Sequence, residues 1–195
     1  MTYCPRCGRK LSTRRTEEKE RPACALESGG CGFIDFGLFT LGVGGIVLNN
    51  DPPGPERILL IQRAQEPNRG GWTIPGGFVE MDEAAEAAVV REVGEETGLD
   101  CAVVGLVGFR NRVDRESNTS YAVFLLKVSG GKIRTEPTSE IARAGFFGLS
   151  ELETLERLSP LSRELAQAAL TRRMRVLHPV AFPGRGDKSP FTLFI

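Results

Sequence analysis

The sequence predicts an α/β fold, an α/β/α sandwich built on a mixed sheet and preceded by a small cysteine-bearing module. Three observations carry that expectation. Apolar runs of strand length recur through the middle of the chain, one helical stretch (residues 83–97) interrupts them, and two cysteine pairs precede them all. With 195 residues and 41% hydrophobic content, the chain can bury one good core and carry a small extra module. The expected divisions are 1–36, 37–158 and 159–195.

The first module rests on Cys4-x2-Cys7-Gly8 and Cys24-x6-Cys31-Gly32. Two cysteine pairs about seventeen residues apart read as a four-thiolate zinc ribbon. The CPRCG half suits a tight knuckle whose amides face the sulfurs. The second half departs from C-x2-C by the insertion ALESGG. The charged run RRTEEKER, residues 14–21, suits the solvated tip of a hairpin joining the two knuckles. Disulfides or free thiols are the alternatives, and disulfides suit secreted chains. The N-terminus has no apolar leader stretch, and no apolar run approaches membrane-spanning length. Metal-bound thiolates in a cytoplasmic protein are therefore the favoured reading. Four thiolates leave no open coordination position, so this Zn²⁺ would be structural.

Next come strand signals at 38–48 and 57–64, joined by the turn-rich DPPGP. WTIPGGFVEMDE, residues 72–83, leads into the helix. Pro75 presets one corner of a turn, and the paired glycines Gly76 and Gly77 permit close approach of backbone to a metal or phosphate. Trp72 reads as a packing aromatic.

The helix over 83–97 is built on Ala84, Ala85, Ala87, Ala88, Val89, Val90 and Val93, with Asp82 as N-cap and Gly98 as the residue that ends it. Glu92, Glu95 and Glu96 fall on one of its faces. Their mutual repulsion costs roughly 0.2–0.5 kcal/mol per pair. The nearby helix C-terminus disfavours each by about 0.3–1 kcal/mol more. A solvated acidic face is the bland explanation. But Ala85, Ala88 and Val89 share the stripe, so this face abuts the protein. A hard divalent cation, Mg²⁺ or Mn²⁺, would turn the repulsion into coordination and could bridge substrate phosphates.

Taken together, Gly77, Glu83 and the run Arg91-Glu92-Val93-Gly94-Glu95-Glu96-Thr97-Gly98-Leu99 match G-x5-E-x7-R-E-U-x-E-E-x-G-U at every fixed position, where U is a bulky aliphatic residue. In this the chain resembles the Nudix hydrolases, over roughly residues 38–155. The resemblance implies the Nudix α/β/α sandwich. It also implies an enzyme that hydrolyses a pyrophosphate bond in a nucleoside diphosphate linked to another group, releasing a mononucleotide. By the same resemblance, Glu92, Glu95 and Glu96 form the metal-binding set, with Glu92 also a candidate general base. Arg91 orients Glu92 or pairs with Glu83, and the Gly76 carbonyl is a further metal ligand. In EIARAGFFGLSEL, residues 140–152, Glu140 stands six positions before Phe146 as in many Nudix chains. That makes it a candidate ligand or base from a loop. The cysteine ribbon ahead of the domain resembles a subgroup that includes NADH, FAD and ADP-ribose pyrophosphatases. The stretch VGFRNRVDRESNTS lacks the S-Q-P-W-type motif of the NADH enzymes. Arg115 stands where many ADP-ribose pyrophosphatases carry Pro.

Downstream, strands are expected at 101–109, 120–128 and 144–149, a polar loop at NRVDRESNT, a turn at 129–132, and helices at 150–157 and 161–175. Cys101, Phe109, Tyr121 and Phe124 read as core. Arg63, Arg110 and Arg112 are the candidate phosphate-binding arginines, since a guanidinium meets phosphate with a planar fork. His178 reads as incidental. The tail HPVAFPGRGDKSPFTLFI resists a helical reading yet ends apolar. It is expected to dock on its own domain or on a partner, which suggests a homodimer. Net charge is zero and the pI is about 6.6, which favours no broad nucleic-acid or membrane surface. The partner expected is a small nucleotide. Two competing readings are a sensor that binds such a nucleotide without cleaving it, and a hydrolase directed to capped RNA by the ribbon.

Overall fold

The computed structural model describes residues 1–49, 56–113, 117–183 and 191–195. The DPPGP turn, Arg115 and the middle of the tail lie outside the described residues. The chain divides into two compact units. One contains Met1–Phe39, and the other contains Thr40–Val113 together with Asn118–Ile195.

In the first unit, β1 (Ser12–Thr16) and β2 (Lys19–Ala23) form an antiparallel hairpin, with Thr16 opposite Lys19. The charged run 14–21 occupies its strands and tip. The insertion ALESGG folds as a 3₁₀ turn at Leu26–Ser28, closed by Gly29 in the left-handed region (φ 72°).

The second unit is built on a seven-stranded sheet. β3 (Phe39–Asn49), β4 (Arg57–Arg63), β5 (Trp72–Thr73), β6 (Gly76–Phe78), β7 (Leu99–Val113), β8 (Asn118–Gly131) and β9 (Ile141–Phe147) take part. The order is β5-β4-β3-β8-β7, with β6 paired to β3 and β9 to β4. Among the described residues, three helices accompany it: α1 (Ala85–Thr97), α2 (Leu149–Thr154) and α3 (Pro160–Leu170).

Strand alternation sorts the core into two layers. Val43, Val47, Leu59, Ala122, Phe124 and Leu126 pack with Ala88, Val89 and Val93 of α1. Ile46, Ile58, Leu60 and Val123 face the other way and pack with Leu152 of α2 and Ala166 and Ala169 of α3. This is the expected α/β sandwich. At Gly45, an added Cβ would lie 2.8 Å from both Val93 Cγ2 and Leu126 Cδ1, so the missing side chain lets α1 settle onto β3.

Several boundaries differ from expectation. α1 starts at Ala85, and its N-cap is Ala84, with no side-chain cap. Asp82 does not cap it, because Glu83 turns back to accept the Glu80 amide at 3.0 Å and the chain enters the helix two residues later. β7 and β8 run past the apolar segments, since ladder pairing continues through Arg112 opposite Thr119 and Leu99 opposite Gly131. β9 begins three residues early because Ile141 pairs with Arg63. α2 covers only Leu149–Thr154, and α3 ends at Leu170, where Arg172 adopts φ 54°. Phe109 is 65% exposed and not core. Cys101 and Phe124 are buried, as expected. The tail forms a hairpin of β10 (Pro179–Phe182) and β11 (Phe191–Phe194). Phe194 anchors it edge-on against Phe124, ring centroids 5.5 Å apart. Among the described residues, no helix is long and apolar enough to cross a membrane.

Candidate active site and thiolate cluster

β6 and α1 together build the site. Gly98 ends α1 at φ 79°, its amide bonded to the Gly94 carbonyl at 2.8 Å. The last two turns of α1 therefore carry Glu92 and Glu96 toward β6, where Gly76 and Gly77 pair with Gly44 and Val43 of β3. The Gly76 amide donates to Glu96 Oε2 at 2.7 Å. Gly77 passes so close to the Glu92 carboxylate that a Cβ there would collide with it.

Arg91 binds this assembly from one side. Its Nε and Nη2 donate to the two oxygens of Glu83 at 3.1 and 2.7 Å, a bidentate pair. Nη1 donates to Glu92 at 2.9 Å and to Glu95 at 3.1 Å, and Nη2 also reaches the Phe78 carbonyl at 3.2 Å. Arg91 thus contacts Glu83, Glu92 and Glu95 at once. These bonds hold the Glu83 carboxyl below the usual carboxylate range and raise the Arg91 guanidinium further.

The other carboxylates shift the opposite way. Burial, opposed by the Gly76 amide and reinforced by the charge of Glu92, pushes Glu96 up to about 8. Burial also raises Glu92, against the pull of Arg91. The buried Glu96 and the half-buried Glu92, both facing one cleft, form a hard-oxygen donor set that fits a divalent cation.

The cleft itself encloses about 300 Å³ and brings together Gly76, Gly77, Glu92, Glu96, Glu140 and Arg63. Glu140 comes from the loop before β9, whose carbonyl accepts the Ala64 amide at 2.7 Å. Glu95 is more exposed and lies on an adjoining depression of about 210 Å³, together with Arg134. Arg110 and Arg112 border neither hollow. Arg110 donates to Thr119 at 3.1 Å, and its guanidinium lies 5.6 Å from the Tyr121 ring centroid. Sequence reasoning missed Gln65, Phe78, Glu80 and Arg134, which line these hollows from outside the motif's fixed positions.

In the first unit, the Sγ atoms of Cys4, Cys7, Cys24 and Cys31 all lie within 4.8 Å of one another. Cys4–Cys31 and Cys7–Cys24 each measure 3.5 Å, too long for a disulfide. Tetrahedral thiolates at ~2.3 Å from Zn²⁺ stand about 3.8 Å apart, so the cluster fits that ion. The 3₁₀ turn absorbs the longer second spacing and returns the Cys31 amide to Cys24 Sγ at 3.4 Å. Burial opposes ionisation of Cys4, but amides of Arg6 and Cys7 outweigh it and lower the thiol to about 7.

Comparison with known proteins follows the same lines. The NUDIX domain model matches residues 38–169. The chain is 41% identical over 108 residues to putative nudix hydrolase 1 of Caenorhabditis elegans, covering 55% of this chain and 28% of that protein. It is 42% identical over 101 residues to an ADP-ribose pyrophosphatase of Methanocaldococcus jannaschii, covering 51% of this chain and 59% of the relative. The chain thus spans less than two thirds of the length of these relatives. A crystal structure of a NUDIX hydrolase from Nitrosomonas europaea superposes with a TM-score of 0.65 at 24% identity, over 89% of this chain and 92% of that one.

Proposed function

The chain belongs to the Nudix family, and from that premise we propose that it is a pyrophosphohydrolase acting on acid anhydrides. Its substrate is a nucleoside diphosphate linked to another group, of the ADP-ribose or dinucleotide type, and its product a mononucleotide. The observation that carries this reading is the convergence of Glu92, Glu96 and Glu140 with the paired glycines in one cleft.

In this reading Glu92, Glu95 and Glu96, with the Gly76 carbonyl, hold Mg²⁺ or Mn²⁺. A cation held there would supply Lewis-acid neutralisation of the pyrophosphate's charge and activation of water. Arg91 keeps Glu92 in a fixed rotamer by spanning it and Glu83. Glu96 would have to be ionised to serve as a ligand. Glu140 faces the same cleft from a loop and is positioned to accept a proton from water. Arg63, at the cleft's border, neutralises a phosphoryl oxygen, while Arg110 and Arg112, expected beside it, border neither hollow and take no part. The ribbon of residues 1–36 holds a structural Zn²⁺ on Cys4, Cys7, Cys24 and Cys31. The Methanocaldococcus relative's name supports an ADP-ribose-like substrate.

A homodimer is part of the proposal. Val180, Phe182, Phe191 and Leu193 form cross-strand pairs on the outward face of the β10–β11 hairpin, each 37% exposed or more. Sedimentation at the mass of a single chain would remove that element.

The test of activity is incubation with Mg²⁺ and a panel of ADP-ribose, FAD, NADH and diadenosine polyphosphates. Mononucleotide release is followed by chromatography, with Glu96→Gln as control. Turnover by the wild type and not by the variant is expected. Tight binding without turnover across the panel would replace the hydrolase with a nucleotide sensor.

A further inference from the structure

Beside the carboxylate cleft lies a second, larger cavity of about 660 Å³, within the size range of small-molecule sites. Arg63 and Phe78 border both hollows, so one ligand can occupy them together. The cavity is formed by the loop after β4 and by the segment entering α3, which meet where the Trp72 amide donates to the Arg157 carbonyl at 3.1 Å.

Its chemistry differs from that of its neighbour. The cleft carries Glu80, Glu92, Glu96 and Glu140. The cavity has no carboxylate among its described lining residues, but it has two guanidiniums, Arg63 and Arg157, with Trp72 and Phe78 as aromatic wall. Arg63 spends its Nε on the Pro67 carbonyl at 2.9 Å, which anchors the group and leaves its terminal nitrogens for a ligand. Among the described residues neither arginine forms an ion pair. Ser159, the N-cap of α3, lines the same space, so the positive end of that helix adds to the potential. Arg157, with no carboxylate in the cavity, and Arg63, whose charge is shared with the cleft glutamates, favour an anion there. A phosphomonoester carries about −1.5 to −2 at neutral pH and offers three acceptor oxygens, which matches two guanidiniums better than a carboxylate does.

Resting on the hydrolase reading above, we infer that this cavity takes one nucleoside of the substrate, and that this nucleoside carries a phosphomonoester of its own beyond the scissile pyrophosphate. Arg157 binds that third phosphate, Arg63 spans the border between it and the diphosphate, and Trp72 and Phe78 offer the base an aromatic surface. Arg157, which borders the cavity and not the cleft, is then a specificity-determining residue.

The test uses matched pairs that differ by one phosphomonoester on the adenosine ribose: NADPH against NADH, and coenzyme A against dephospho-coenzyme A. Initial rates are measured with Mg²⁺. In the wild type, kcat/KM is expected to favour the phosphorylated member at least tenfold in one pair or both. Arg157→Ala lowers kcat/KM for the phosphorylated member at least tenfold more than for its partner, through KM, and Arg157→Lys recovers part of the loss. Equal kcat/KM within both pairs, or equal losses in the variant, would overturn the inference. If no member is hydrolysed, the hydrolase reading fails separately, and calorimetric binding of the same pairs decides. Tighter binding of the phosphorylated members, weakened in Arg157→Ala, sustains the inference, and equal binding ends it.

Discussion

Replacing Gly77 with Ala separates the geometry of the site from the stability of the fold. Gly77 does not sit at positive φ, so alanine meets no backbone penalty there. What it meets is the Glu92 carboxylate, with the new Cβ 2.7 Å from Oε2, where ordinary contact begins at 3.4 Å. Oε1 and Cδ lie nearer still, so the carboxylate must retreat by about 1 Å, the collision being with a flexible side-chain end and not with backbone. A misplacement approaching 1 Å in a catalytic group costs up to about 10²-fold in rate. The fold loses only the Arg91–Glu92 bond of 2.9 Å, worth about 0.5–1 kcal/mol at this partly exposed position. The expected result is a fall in kcat and in Mn²⁺ affinity of one to two orders of magnitude, with a urea midpoint close to wild type. Mn²⁺ titration by water-proton relaxation, initial rates and equilibrium denaturation would measure all three. Undiminished Mn²⁺ affinity together with undiminished kcat would refute the claim that Gly77 positions Glu92.

Three further outcomes follow from the same geometry. Glu96 is raised from 4.5 to about 8, so in the metal-free protein its contribution to stability is complete below pH 4.5 and disappears as pH rises through 8. The loss is on the order of 4–5 kcal/mol at most, recovered by added Mg²⁺ and flattened in Glu96→Gln. Urea denaturation from pH 5 to 8.5 checks it, and a flat wild-type profile would sink it. Arg91→Lys keeps the charge but cannot span Glu83, Glu92 and Glu95, and should cost about 1–2 kcal/mol by denaturation. An unchanged midpoint would mean the fork contributes nothing. Cys24→Ser should remove bound zinc, measured by atomic absorption after gel filtration, and wild-type zinc content in the variant would exclude Cys24 as a ligand.

The parts of this protein that local chemistry determines were legible in its sequence. Three glutamates on one helical face, a Gly to end the helix and a glycine pair before it are local features, and the helix and turn appear where those residues place them. Boundaries set by partner strands were not legible. Ile141 enters β9 because Arg63 lies opposite, and Thr119 extends β8 because Arg112 does. Asp82 looked like a cap, but the Glu83 side chain serves Arg91 and the Glu80 amide, which shifts the helix start. The second cavity was the least visible feature. Its two arginines are far apart in sequence and meet only because the Trp72 amide and the Ser159 amide tie β5 to the entrance of α3. The tail's apolar end was expected to dock, but its strands depend on antiparallel pairing between segments distant enough in sequence to leave no local signal.

The bond from the Gly76 amide to Glu96 has a spectroscopic consequence. An amide proton held by a carboxylate reports on whatever else that carboxylate does. When Glu96 exchanges its proton, or turns an oxygen toward a cation, the electron density at the end of this hydrogen bond changes. The Gly76 resonance should then move with it. The protein thus carries its own occupancy gauge in the backbone, readable by NMR with no added label beyond nitrogen-15. That signal would follow cation loading with or without a nucleotide present.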